Sequence, residues 1–171
     1  MNLLLPAAPV AYQKRRCITC HSQSLVAMAA AEARQKGIAI NEEMEQANLK
    51  QIEAFYKLFG ELAMQGDQPG GNIITIGYVM MALAAEKHPF GTISVQMIHV
   101  AAALQLPDGM WTPNGVSRAP MEDTLVTATA MGIRSLTAIP APGYEAEVEE
   151  KLGRARQWLL TVNGIRPRIA R

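Results

Sequence analysis

The chain lacks several features on which common site chemistries depend. It has only two cysteines, Cys17 and Cys20, which excludes a disulfide framework and a four-cysteine zinc or iron–sulfur site within one chain. Sixteen Lys and Arg nearly balance fifteen Asp and Glu, and the net charge of +1 creates no field that would attract DNA or RNA. We therefore expect no nucleic-acid partner.

Long apolar runs are also missing. The longest, IITIGYVMMALAA at 73–85, is shorter than the ~20 residues that cross a bilayer, which predicts a buried helix and no transmembrane segment. The opening MNLLLPAAPVA has no preceding positive charge and is interrupted by Pro6 and Pro9, so it is a poor export signal. With 171 residues, 49% of them hydrophobic, one globular domain is expected.

Helical periodicity is the main signal that the sequence does contain, and strands have little support. Five apolar residues follow the three-and-four spacing of one helix face: Leu49, Ile52, Tyr56, Phe59 and Leu62. Charged residues are placed largely on the other faces: Glu43, Glu45, Lys50, Glu53 and Lys57. Similar patterns predict six helices, joined as three hairpins, near 23–36, 41–65, 72–87, 91–105, 121–138 and 144–162.

A weak internal repeat supports this arrangement in pairs. TIGYVMMALAAEKHP at 75–89 resembles TATAMGIRSLTAIP at 127–140, and SLVAMAAAEARQKG at 24–37 is a candidate third copy. A repeat of two helices predicts an array in which each hairpin buries its apolar face on its neighbours. The alternative is that alanine-rich helices look alike without any repeat.

The loop LQLPDGMW contains a recognisable spacing. Gln105, Gly109 and Trp111 follow the Q-x-x-x-G-x-W pattern of the QW motif of squalene and hopene cyclases. A glutamine at a helix end can bond to open backbone groups, glycine permits a tight exit, and tryptophan covers the junction, so the motif predicts a structural clamp. RARQWLLTV resembles the opening of a second copy, but Asn163 and Gly164 stand where glutamine and glycine are expected.

With the repeat, this loop makes the chain resemble the α/α-toroid of terpenoid cyclases and prenyltransferases over roughly residues 22–162. In particular, it is similar to a bacterial family in which a CxxCH-x-QSL segment leads into such helices. The residues that carry the resemblance are Cys17, Cys20, His21, Gln23, Ser24, Leu25, Gln105, Asp108, Gly109, Trp111 and Thr127 to Ala130.

The resemblance implies an all-α, toroid-like array of three hairpins, made of six helices. A complete toroid has more helices, so the chain would be half a ring, a fragment of a longer protein, or a unit that self-associates to complete the toroid. We divide the sequence into an N-terminal segment with the CxxCH motif at 1–22, a helical domain at 23–165 and a basic tail at 166–171.

The resemblance does not extend to catalytic residues. Hopene-type cyclases protonate an alkene with an acidic DxDD motif, which is absent; the adjacent Glu122 and Asp123 are instead expected in the first turn of the fifth helix. Prenyltransferases use an Asp, Cys and His zinc set, whereas the corresponding DTLVTATAM has neither Cys nor His. Neither activity is expected.

Residues 17–21, Cys-Ile-Thr-Cys-His, match the attachment sequence of c-type haem. In that chemistry two thiols form thioethers with the vinyl groups, and the adjacent histidine becomes an axial iron ligand. Cys17, Cys20 and His21 are therefore the candidate haem c site, with His21 as the metal ligand. Other interpretations stay open: a metal or redox dithiol, which lacks the βαβ context of thioredoxin, or plain thiols near a helix start.

The predicted function is electron transfer or redox-linked binding by a haem-bearing domain. The alternatives are a haem-free helical scaffold and a fragment of a terpenoid-modifying enzyme, the last resting on fold resemblance alone. Attached haem would imply a periplasmic or otherwise exported location, and a redox partner protein or further domains of a longer chain. Without haem, a cytoplasmic location is expected.

Overall fold

A computed structural model of the chain describes residues 3–16, 18–67, 72–113 and 122–162. These residues form eight α-helices and one π-helical turn, Cys20–Ser24, with no strand among them. The helices are α1 (Leu4–Arg15), α2 (Leu25–Gln35), α3 (Glu42–Leu58), α4 (Gly60–Met64), α5 (Ile73–Ala85), α6 (Thr92–Ala103), α7 (Leu125–Thr137) and α8 (Glu145–Val162). The predicted all-α class is confirmed.

Helix α1 is one of two differences from the six predicted helices. Pro6 lies in its first turn, where a missing amide breaks no intrahelical bond, so this proline is compatible with the helix. Leu5 and Ala8 are buried and pack with Val26 and Ala30 of α2. The helix is thus stabilised by tertiary contacts that the local sequence does not show.

The second difference is a break at Phe59, which divides the predicted helix 41–65 into α3 and α4. The Phe59 amide donates to the Tyr56 carbonyl at 3.2 Å, which tightens the last turn of α3. Gly60 then lies against the side-chain amide of Gln96, and a Cβ at position 60 would overlap it. The break allows α4 to pack against α6.

Side-chain caps explain where three of the helices begin. The side chain of Asn41 accepts a hydrogen bond from the Met44 amide at 3.0 Å. In the same way, Asn72 accepts from the Ile74 amide at 2.9 Å, and Thr124 accepts from the Thr127 amide at 3.0 Å. Glu122 and Asp123 precede the Thr124 cap and are not in the first turn of α7, so their predicted position was wrong.

The helices pack in two rows. Three pairs of helices are in contact: α2 with α3, α5 with α6, and α7 with α8. One row is formed by contacts of α5 with α2 and α7, and the other row by contacts of α6 with α3 and α8. The three repeat segments occupy α2, α5 and α7, so the repeat marks one row. Two helices of this row, α5 and α7, approach closely at Gly77, where a Cβ would meet Met131 at 2.8 Å.

The core centres on α5, as predicted for a buried helix. Five of its large side chains are at most 1% exposed: Ile73, Ile74, Ile76, Met80 and Leu83. In the described part of the chain, no helix combines the length and apolarity required to cross a membrane. The domain division stays a prediction, and residues 163–171 lie outside the described ranges.

Candidate functional site

The candidate haem motif lies between α1 and α2. Cys17 and the side chain of Cys20 are outside the described residues. Ile18, between the two cysteines, is 5% exposed and belongs to the main core. His21 stands on the π-helical turn and is exposed. The imidazole of His21 is thus exposed, while Ile18 of the same segment is packed in the core.

Gln23 fixes the conformation of this turn. Its side chain is fully buried, and its Oε1 accepts hydrogen bonds from the Thr19 amide at 2.9 Å and the Thr19 hydroxyl at 3.2 Å. Its Nε2 donates to the Ala8 carbonyl of α1 at 2.9 Å. One side chain therefore joins the start of the motif turn to α1.

A second contact joins the turn to α3. Asn48 is 1% exposed, and its Nδ2 donates to the Gln23 carbonyl at 3.2 Å. Its Oδ1 is buried and has no hydrogen-bond partner among the described residues. The backbone two residues after His21 is thus held from both α1 and α3.

Glu45, one turn before Asn48 on α3, is fully buried, although the sequence places it on a charged outer face. Both of its carboxylate oxygens lack a hydrogen-bond partner in the described structure. That prediction was wrong because the buried face of α3 continues upstream at helical spacing, from Ile52 to Asn48 and from Leu49 to Glu45. Extending the apolar stripe by one turn would have found both residues.

Two ion pairs made by Arg34 lie near Glu45. The guanidinium of Arg34 on α2 binds Glu42 through Nε at 3.1 Å and Nη2 at 2.8 Å, and binds Glu86 through Nη1 at 2.9 Å. The Glu86 side chain, at the end of α5, is only 4% exposed. Its second oxygen, Oε1, is buried and has no hydrogen-bond partner among residues 3–16, 18–67, 72–113 and 122–162. The guanidinium of Arg34 thus donates its hydrogen bonds to Glu42 and Glu86.

This environment changes the proton affinity of Glu45. Burial raises the pKa of Glu45 to about 7, and the negative charge of Glu86 acts in the same direction. The Asn48 amide and the Arg34 charge lower the pKa without cancelling that rise. The carboxyl can therefore gain or lose a proton near neutral pH.

The QW loop forms the clamp that its spacing predicts. Gln105, at the end of α6, donates through Nε2 to the Gly109 carbonyl at 2.9 Å and to the Lys151 carbonyl of α8 at 2.8 Å. Gly109 has φ +97°, and a Cβ there would overlap the Arg154 carbonyl. Glycine is required at this position both by the backbone conformation and by the close approach of α8.

Trp111 completes the clamp. It is fully buried, its Nε1 donates to the Ala101 carbonyl at 2.7 Å, and its backbone amide donates to the Thr129 hydroxyl at 3.2 Å. The loop is therefore bonded to α6, α7 and α8 at once. These contacts confirm a structural role for the three motif residues.

A separate surface pocket of about 430 Å³ is lined by residues of α3 and α6 and by His88. His88 Nε2 lies 2.9 Å from Glu53 Oε1, which bridges the end of α5 to α3. Across residues 3–16, 18–67, 72–113 and 122–162, no group of three or more His, Cys, Asp and Glu side chains is placed to hold a metal ion. Cys17 and the Cys20 side chain lie outside the described residues.

The fold and the clamp define an all-α protein built from paired helices. Neither the protein-family models, nor the curated proteins, nor the solved structures gave a match to this chain. The likeness to the cyclase toroid thus rests on the residues quoted above.

Proposed function

We propose that the protein is a haem-bearing helical domain that transfers electrons or binds a partner according to redox state. Cys17 and Cys20 would hold haem c through thioethers, and His21 would be the axial iron ligand. The observation that carries this proposal is the CxxCH sequence, followed by a turn that Gln23 and Asn48 hold in place. When bound, the haem would supply a reversible one-electron centre.

The residues around the motif suit such a group. Two thiols and an adjacent imidazole are the donor set of c-type attachment. Ile18 anchors the segment between the thiols in the core, and Gln23 restrains the backbone after His21. These residues would reduce the entropy lost when the attachment segment is ordered around the macrocycle.

We also propose that the hairpins belong to an α/α-toroid. The two rows of helices, the repeat in α2, α5 and α7, and the clamp at Gln105 and Trp111 support this proposal. The remainder of such a ring would come from further domains of a longer chain or from a second copy. A haem protein of this kind would work with a redox partner protein in an exported compartment.

The absorbance spectrum tests the haem proposal. The protein is expressed with an export signal and haem-maturation machinery, and the pyridine hemochrome spectrum is recorded after acid extraction removes unattached haem. We expect a c-type spectrum in the native chain and in His88→Gln, and its loss in Cys17→Ala/Cys20→Ala. His21→Ala should keep the covalent haem but change the spectrum of the iron. A folded, colourless native protein overturns the proposal.

A haem-free scaffold is the second candidate, and the exposure of His21 is the observation that favours it. In that case the motif is an unmodified surface turn, and the same Gln23 contacts serve stability alone. Unmodified thiols of Cys17 and Cys20, counted by mass spectrometry after alkylation of the colourless protein, would support this candidate.

A further inference from the structure

Two adjoining hollows lie on the surface where α3 and α4 pack against the start of α6. The first is the pocket of about 430 Å³ beside His88. The second has a volume of about 550 Å³, and Gly60 of α4 and Gln96 of α6 are among the residues that line it. Lys57 and Thr92 line both hollows. The two hollows therefore meet at these residues and form one groove.

The junction of the two hollows suits an anionic group. Lys57 places an ammonium group in the last turn of α3, and Thr92 is the first residue of α6. The residue before it, Gly91, makes no side-chain cap for this helix. The first amides of α6 thus have no intrahelical acceptor and form the positive end of the helix dipole. A carboxylate at this junction would accept hydrogen bonds from these amides and pair with Lys57.

The side chain of Gln96 indicates that the ligand also carries a hydrogen-bond donor. Gln96, one helical turn after Thr92, is 6% exposed, and its Oε1 is buried with no hydrogen-bond partner in the described ranges. Its amide lies against Gly60, which lines the same hollow. The terminal torsion of glutamine is soft, so a donor in this hollow can reach Oε1 after a small rotation of the amide. The carboxylate of Glu61 lines the hollow as well and favours a positively charged donor.

The first hollow offers an apolar wall for the rest of the ligand. Ala54 of α3 and Ile93 of α6 form this wall. The polar pair of the hollow is bonded internally, because His88 Nε2 lies 2.9 Å from Glu53 Oε1. Lys50 is exposed, and its aliphatic stem covers apolar surface while its ammonium group stays in water. An aliphatic side chain would thus be sheltered here.

We propose that this groove binds a free α-amino acid with an apolar side chain. The carboxylate lies at Lys57 and the first amides of α6, the ammonium group lies between Gln96 and Glu61, and the apolar side chain lies on the wall of the first hollow. Thr92 and Gln96 are separated by a rise of about 6 Å, which suits two hydrogen bonds to charged groups that share one carbon atom. The site uses no residue of the CxxCH motif and does not depend on haem.

Isothermal titration calorimetry of the full chain tests the ligand, with free leucine as the probe. Isocaproate lacks the ammonium group, isoamylamine lacks the carboxylate, and glycine lacks the apolar side chain. We expect each of these compounds to bind at least about tenfold more weakly than leucine, since each loses one of the three interactions. Failure of leucine to bind, or equal binding of isocaproate, overturns the proposal.

Two variants test the site. Lys57→Gln and Gln96→Leu should each weaken leucine binding at least about tenfold, whereas Lys36→Gln, an exposed lysine after α2, should not change it. Gln96→Leu should fold without loss of stability, because Oε1 forms no hydrogen bond within the described structure. Leucine should therefore raise the Tm of the native chain and leave that of Gln96→Leu unchanged.

Leucine binding that survives in both variants would place the ligand elsewhere and overturn the site. The haem proposal fails on a different observation, a colourless native protein, and the titration with leucine is the same with or without haem.

Discussion

Trp111 of the α6–α7 loop lies so close to Gly132 of α7 that a Cβ at position 132 would overlap the indole ring. The same indole donates from Nε1 to the Ala101 carbonyl of α6 at 2.7 Å, so it cannot move away without losing a buried hydrogen bond. The space above Gly132 is thus filled by a side chain that is fixed at its other end. A glycine in the middle of a helix is explained here by packing.

Gly132→Ala should therefore destabilise the protein. Overpacking of a filled core position costs about 1–3 kcal/mol, and we expect a loss of this size in the free energy of unfolding by urea. Gly153→Ala is the matched control, since a Cβ at this position of α8 meets nothing within 4 Å. The control should gain up to about 1 kcal/mol from helix propensity. Equal effects in both variants would contradict this account.

Gln105→Leu should weaken the attachment of α8. The variant loses both bonds from Nε2, to Gly109 and to Lys151, while its size and apolar contacts stay similar. We expect a loss of about 1–3 kcal/mol in unfolding free energy and faster amide exchange in α8. Gln157→Leu, at an exposed position of α8, is the control and should change little. An unaltered exchange pattern in Gln105→Leu would show that the clamp does not hold α8.

Gln23→Leu should loosen the motif turn. The Thr19 amide loses its acceptor and the Ala8 carbonyl loses its donor, so a cost of about 1–3 kcal/mol is expected. Hydrogen exchange followed by mass spectrometry should show faster exchange in residues 18–22, with α6 and α7 unaffected. Gln35→Leu, exposed at the end of α2, should leave the exchange of the turn as it is. Uniform acceleration across the chain would indicate global destabilisation instead.

Much of the fold follows from local signals. Each of the six predicted helical ranges contains helix, although 41–65 is divided into two, because apolar spacing marks the buried faces and residues such as Asn72 and Thr124 cap the starts. The clamp was also predictable, because a helix-ending glutamine, a glycine and a tryptophan act on their immediate neighbours. Local chemistry and tertiary structure agree at these positions.

The remaining features depend on contacts between distant segments. Helix α1 contains Pro9, which the sequence alone counts against a helix, and its burial on α2 overrides that cost. The sequence pattern predicts an outer face for Glu45, because the apolar spacing begins only at Leu49 and charged residues fall largely on the other faces. Only the tertiary structure, in which α2 packs against both α3 and α5, shows that its carboxyl is buried and that Arg34 is already bound to other acids.

The stability of the protein should fall as pH rises through neutrality because of Glu45. Its pKa is about 7 in the folded protein against an ordinary value of 4.5, so the folded state binds the proton more tightly than the unfolded chain. Ionisation of this carboxyl therefore adds no cost to folding below about pH 4.5, and its cost grows until the pH exceeds the folded pKa. A shift of this size corresponds to about 3 kcal/mol when fully developed.

Glu45→Gln imitates the protonated carboxyl and should remove this loss. Urea unfolding between about pH 5 and pH 9 should show the native chain losing stability relative to Glu45→Gln, by up to about 3 kcal/mol at the alkaline end. Glu43→Gln should follow the native chain, because this acid is exposed. If the difference between the native chain and Glu45→Gln did not vary with pH, the buried carboxyl would not be the titrating group, and another acid would have to explain any pH dependence that remained.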